Sequence, residues 1–194
     1  MPKAPLKNPE SASISKSATK PPSKKIDSFP VNAHTAMQEF FLAGLQEIYW
    51  AENHLLKAIP KMIDAAGGAN LKKVLTSHLS VTKTHSARLE KAFDTLEQKR
   101  LSRKCDAMEG LTMSGEHVIE NTIAGTPVRD MGITMSAIKV ENFEAVTYKG
   151  LIQLATNLGQ GDIAELLRQT LEEELAAGDR LTDMSQSFAP SPKS

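Results

Sequence analysis

Five ionisable residues, Glu52, His85, Glu141, Glu144 and Glu174, stand at positions where helical periodicity calls for buried apolar side chains. Glu52 lies seven residues after Leu45 and seven before Ile59. His85 follows His78 by seven residues, among Leu71, Leu75 and Leu89. Glu141, Glu144 and Tyr148 interrupt a stripe of Ile133, Ala137, Ile138, Val140, Leu151 and Ile152, and Glu174 interrupts Ile163, Leu167, Leu171 and Leu181. Carboxylates gathered out of water lose hydration and repel one another unless a cation or protons neutralise them. Oxygen donors joined by an imidazole form a set that iron or manganese accepts. The competing reading turns each helix by 100° and returns the acids to solvent. Glu173 could replace Glu174 by a one-residue slip, the run Glu172 to Glu174 could be a solvated face, and Glu47 is an outlying candidate on the first helix.

The spacing carries a second signal. Glu52 to His85 is 33 residues, and Glu141 to Glu174 is also 33. Residues equidistant from a tight turn meet at one level when two helices run antiparallel with about 1.5 Å of rise per residue. Each pair straddles such a turn, so the chain presents a two-fold internal repeat suited to two metal ions in a helical bundle.

The elements that must hold these residues are legible in outline. One helix spans about Ala36 to Ala66, with Pro60 expected to kink or end it. Gly67-Gly68 turns the chain, and Asn70 is the predicted N-cap of a second helix to about Gln98. A shorter helix covers about Cys105 to Asn121. Thr126 and Pro127 read as N-cap and first residue of a long helix to about Asn157, with Asp130 favourable in its first turn. Gly159-Gln160-Gly161 makes another turn, and Asp162 with Glu165 forms a predicted capping box opening a helix to about Met184. Two helical hairpins joined by a long crossover give an all-α, ferritin-like four-helix bundle with a short extra helix in the crossover.

Composition agrees. Of 194 residues, 40% are hydrophobic and only 5% aromatic, which disfavours a β-sandwich. No run of about 18 apolar residues suggests a membrane span, the first thirty residues lack the apolar stretch of a secretory signal, and the single cysteine, Cys105, cannot pair within the chain and reads as a small buried hydrophobe. Lys plus Arg and Asp plus Glu both number 23, yet the charge is uneven. Residues 1–30 hold six Lys, six Pro and six Ser and carry +4, leaving −4 on the rest. Residues 1–30 and 189–194 therefore read as disordered, flanking a bundle over 31–188.

Several segments resemble the YciE/YciF family. They are Glu47-Ile48-Tyr49-Trp50-Ala51-Glu52, then Leu55 to Met62, Ser77-His78-Leu79, Lys104 to Leu111, Val128-Arg129-Asp130, Val140 to Glu144, and Leu166 to Glu174. The match covers about residues 35–186, and the stretch around Cys105 and Met108 is its most specific part. The resemblance implies a ferritin-like bundle, often dimeric, cytoplasmic and linked to bacterial stress, with an inferred di-iron or di-manganese centre. Kinship with rubrerythrins and manganese catalases implies peroxide or oxygen as substrate. Family members usually carry Glu where Ser80 and Val81 stand, Asp in place of Gly178 and His in place of Asn142. These departures thin the implied ligand set, to two ions, one or none.

Three functions follow as expectations. In the first, Glu52, His85, Glu141, Glu144 and Glu174 bind iron or manganese in a peroxide-handling oxidoreductase, with Tyr148 as hydrogen-bonding partner of the ligands or electron donor. In the second, a degenerate bundle serves as a non-catalytic structural or interaction module in stress. In the third, the basic arm holds DNA or an acidic surface, as in small DNA-protecting ferritins. A homodimer without membrane association is expected throughout.

Overall fold

The computed structural model describes residues 32–188, so the predicted disordered arm and tail lie outside the described residues. Five helices follow in order: α1 (Ala33–Ala65), α2 (Ala69–Thr95), α3 (Asp106–Glu120), α4 (Pro127–Asn157) and α5 (Gly161–Ser185). Helices α1 and α2 form one hairpin and α4 and α5 the other. Helix α1 also packs on α4, and α2 on α5, while α3 lies across α1 and α4. The result is a ferritin-like four-helix bundle with α3 in the crossover. Leu45, Ile48, Leu55, Leu71, Leu75, Leu89, Phe93, Ile133, Ile163 and Leu167 form its core, each almost wholly buried. Full burial of such a side chain is worth about 1.5–3 kcal/mol.

The ends of the helices refine the sequence reading. Thr126 caps α4 by accepting the Arg129 amide, with Pro127 in the first turn as expected. Pro60, in contrast, does not end α1, which continues to Ala65. The lost hydrogen bond falls near the helix end, and the burial of Ile59, Met62 and Ala66 offsets it. Asn70 is not the cap of α2. The cap position is Gly68, and Asn70 lies within the first turn.

The reason is tertiary. Asp130 in α4 accepts the amides of Gly67 and Gly68, both at 2.7 Å, and so holds the α1–α2 turn from outside the hairpin. A side chain on Gly68 would meet Asp130 Oδ2 at 2.9 Å, so this clasp requires glycine. Replacing Asp130 by Ala should cost about 2–4 kcal/mol, because the lost bonds are charge-assisted and buried. Urea unfolding measures that loss.

The predicted capping box of α5 is absent. Gly159 adopts φ of 72°, a left-handed conformation that turns the chain sharply out of α4. Helical geometry resumes already at Gly161, with Gln160 at the cap and Asp162 in the first turn. Glu165 pairs instead with Arg168, three residues on.

Candidate metal centre

Each of the four long helices contributes an ionisable side chain to the same buried region. Helix α1 brings Glu52, α2 brings His78 and His85, α4 brings Glu141 and Glu144, and α5 brings Glu174. Glu52, His85, Glu144 and Glu174 are completely inaccessible, and Glu141 is 2% exposed. Helix phase explains the placement: Glu141, Glu144 and Tyr148 follow one another at three- and four-residue steps and share one face.

The side chains fall into two groups with a common member. One is Glu52, His85 and Glu174, and the other is His78, Glu141, Glu144 and Glu174. Within each group, one donor atom per residue lies within 4.8 Å of the others. Donors around one ion at about 2.1 Å stand roughly 3–4.2 Å apart, so each group needs only a modest contraction to hold a cation. Many of these atoms are close without being hydrogen-bonded. His85 Nδ1 is 2.7 Å from Glu174 Oε1 and 3.6 Å from Glu52 Oε1, and His78 Nε2 is 3.1 Å from Glu141 Oε1. Even so, His85 Nδ1, both nitrogens of His78, both oxygens of Glu144 and of Glu174, and one oxygen each of Glu52 and Glu141 lack a hydrogen-bond partner. Buried polar atoms left unpaired in such number are unfavourable in an isolated fold, and they are the lone pairs a metal would use. The residues fit the group they would bind. Four carboxylates carry four negative charges when ionised, which two divalent cations neutralise.

Groups just outside the cluster hold its members in place. Tyr148 donates to Glu52 Oε1 at 2.5 Å, leaving Glu52 Oε2 free for the cluster. Burial and the surrounding carboxylates hold the Tyr148 hydroxyl well above its usual range, so it stays a neutral phenol and a donor. His85 Nε2 donates to Glu173 Oε2 at 2.8 Å. Arg88 grips Glu173 with two nitrogens at 2.5 and 2.7 Å and reaches Thr170 at 3.2 Å. Of the neighbours Glu173 and Glu174, Glu174 lies among the cluster, and the partly exposed Glu173 backs His85 from the other side. Glu47 stands apart, paired with Arg103 at the surface.

The sequence reading noted His78 on the apolar stripe but did not choose it. Its seven-residue offset from His85 is the signal that places both on one face. Glu173 and Arg88 had no comparable signal, because both lie off the apolar stripe.

In the ion-free cluster protons take the place of cations, and a metal would have to displace them. Burial pushes the carboxyls of Glu141 and Glu144 well above their usual range, and the Glu174 charge adds to the effect. Glu52 is raised too, chiefly by burial. Burial disfavours a charged His85, but the Glu174 and Glu52 carboxylates outweigh it and hold the ring protonated up to about 10. Burial works to raise Glu174, but the neighbouring His85, together with Glu141 and His78, outweighs it and leaves the carboxyl lowered. His78 is pushed down by burial and is neutral, the ligating form of imidazole.

Groups raised on folding contribute stability that is present below their unfolded values and lost as pH climbs through the folded ones. For Glu52, Glu141 and Glu144 the loss begins above 4.5, and for His85 it begins above 6.5 and extends to about 10. Glu174, shifted the other way, acts only below 4.5, and the lowered His78 adds stability only as pH rises to 6.5, where the four raised groups outnumber it. The ion-free protein should therefore melt at a lower temperature at pH 9 than at pH 5.5, as scanning calorimetry would show.

A family model described as a domain of unknown function, DUF892, matches residues 36–191. The chain belongs to this family. One relative is Protein YciF of Escherichia coli (strain K12), 35% identical over 150 residues, which are 77% of this chain and 90% of that protein. The crystal structure of the E. coli stress protein YciF superposes with a TM-score of 0.75 at 34% identity, covering 78% of this chain and 96% of the other. YcfI from Rhodopseudomonas palustris, proposed to be a structural protein, superposes with a TM-score of 0.74 at 36% identity, covering 79% of this chain and 98% of the other. The resemblance to the YciE/YciF family and its ferritin-like fold is thus shown. Among the described residues, no helix is long and apolar enough to cross a membrane.

Proposed function

We propose that this DUF892 protein binds two redox-active divalent ions, iron or manganese, and uses them to reduce hydrogen peroxide. The observation that carries this reading is the pair of donor groups sharing Glu174, at the heart of a bundle where so many ligating atoms have no other partner. The donors are oxygen and nitrogen, and the thiol of Cys105, the N-cap residue of α3, belongs to neither group. Such a set suits iron or manganese better than softer ions. Glu174 would bridge the two positions, Glu52 and His85 would complete one, and His78, Glu141 and Glu144 the other. Four carboxylates and two imidazoles would hold the two ions and leave room beside them for water or peroxide. Two bound ions would each supply one electron to the O–O bond of peroxide, which with two protons leaves as two waters.

The chain's own residues set the stage for that chemistry. His85 presents Nδ1 inward and keeps its Nε2 proton on Glu173, the usual backing of a metal-bound imidazole. Tyr148 orients Glu52. Glu173→Ala should weaken ion binding about 10- to 100-fold, because His85 loses the partner that fixes its orientation. Titration calorimetry with manganese(II) would measure it.

A stress role is consistent with E. coli YciF, which is named a stress protein. The test of the function is anaerobic loading with iron(II), followed by hydrogen peroxide. One peroxide consumed per two ions oxidised supports the reading. Oxidation no faster than that of free iron(II) would favour a non-catalytic structural module instead.

A further inference from the structure

A cleft of about 80 Å³ opens between α4 and α5 beside the cluster. Its floor includes Glu141 and Glu174, each buried and each with an oxygen that has no hydrogen-bond partner. Its rim is formed by the exposed residues Asn142, Leu175, Asp179 and Thr182. The cleft therefore leads from solvent to the side chains of Glu141 and Glu174, whose oxygens themselves stay covered.

Gly178 sits between floor and rim. A Cβ atom built there would lie 3.5 Å from Glu141 Cβ, in ordinary contact and aimed across the cleft at α4. Alanine would fit, and any longer side chain would extend over Glu141. A glycine inside a helix sacrifices helical propensity relative to alanine, and here the space it leaves is the cleft itself.

We propose that this cleft is the door through which ions and oxidant reach the cluster, and that Gly178 sets its width. This rests on the metal reading above and deepens it by naming the substrate class. A cleft of about 80 Å³ holds only a few water-sized molecules. Hydrogen peroxide fits, as does a divalent cation that exchanges part of its water shell for carboxylate oxygens. A branched alkyl hydroperoxide does not. The carboxylates of Asp179 on the rim and Glu174 below it favour cations.

Two measurements on the full chain test this. The first follows cobalt(II) uptake by the ion-free protein through its visible absorbance, in the wild type, Gly178→Ala and Gly178→Leu. The expected result is at least tenfold slower uptake in Gly178→Leu with the same final stoichiometry, and an Ala rate within twofold of wild type. The second needs no variant: the iron(II)-loaded wild type is mixed with hydrogen peroxide or tert-butyl hydroperoxide, and the two oxidation rates are each divided by that of free iron(II). At least a tenfold preference for hydrogen peroxide supports the door. Unchanged uptake in Gly178→Leu, or equal relative rates for the two peroxides, overturns it while leaving the metal centre standing. A wild type that takes up no cobalt overturns the metal reading, and the door with it.

Discussion

Manganese(II) added to the ion-free protein is expected to raise its melting temperature by on the order of 10 °C. An ion that binds only the folded state stabilises it by about 4.1 kcal/mol at a free concentration a thousand times its dissociation constant. For a domain of this size each kcal/mol moves the midpoint by roughly 2–4 °C. The physical source is the cluster itself. Glu52, Glu144 and Glu174 are fully buried, and most of their oxygens have no donor in the fold. Without cations the fold must keep protons on several of these groups, and an ion removes both the repulsion and the unsatisfied lone pairs. A shift below about 1 °C at millimolar manganese would mean that the groups do not converge on a cation.

The second large effect has opposite signs in two conditions. Glu144→Met should stabilise the ion-free protein by about 1–4 kcal/mol, because an apolar side chain of similar volume replaces a buried carboxyl with no partner. The same substitution should abolish most of the gain on adding manganese, since one of the two groups loses a ligand. Urea unfolding with and without manganese reads both. A purely structural Glu144 would give a destabilised variant in either condition. Glu174 belongs to both groups, so Glu174→Gln should lose more of the manganese effect than Glu52→Gln, which touches only one.

Much of this architecture was legible in the chain because the strongest signals are local. Thr126 and Pro127 mark a helix start by their own chemistry, and Gly159 marks a turn by the φ it alone adopts easily. The acids at Glu52, Glu141, Glu144 and Glu174 stood out because they broke apolar stripes, and the equal 33-residue spacings suggested that they meet. The readings that failed were those decided by tertiary contact. Nothing near Asn70 discloses that Asp130, sixty residues on, holds the turn. Pro60 could have ended α1 or only interrupted it, and the buried turn that follows carries the helix on to Ala65, near its predicted end. His78 stood on the apolar stripe without being chosen, because an imidazole on an apolar face carries no label. Its closeness to Glu141 is a product of bundle closure, as are the Arg88–Glu173–His85 chain and the cleft at Gly178. The departures at Val81 and Gly178 leave four carboxylates and two imidazoles together, with His78 enlarging the donor set.

The most direct test is to count ions. Protein loaded anaerobically with iron(II) or manganese(II), desalted and analysed by plasma mass spectrometry should retain two equivalents per chain, and Glu52→Gln about one. Less than a tenth of an equivalent in the wild type would contradict a metal centre in this bundle.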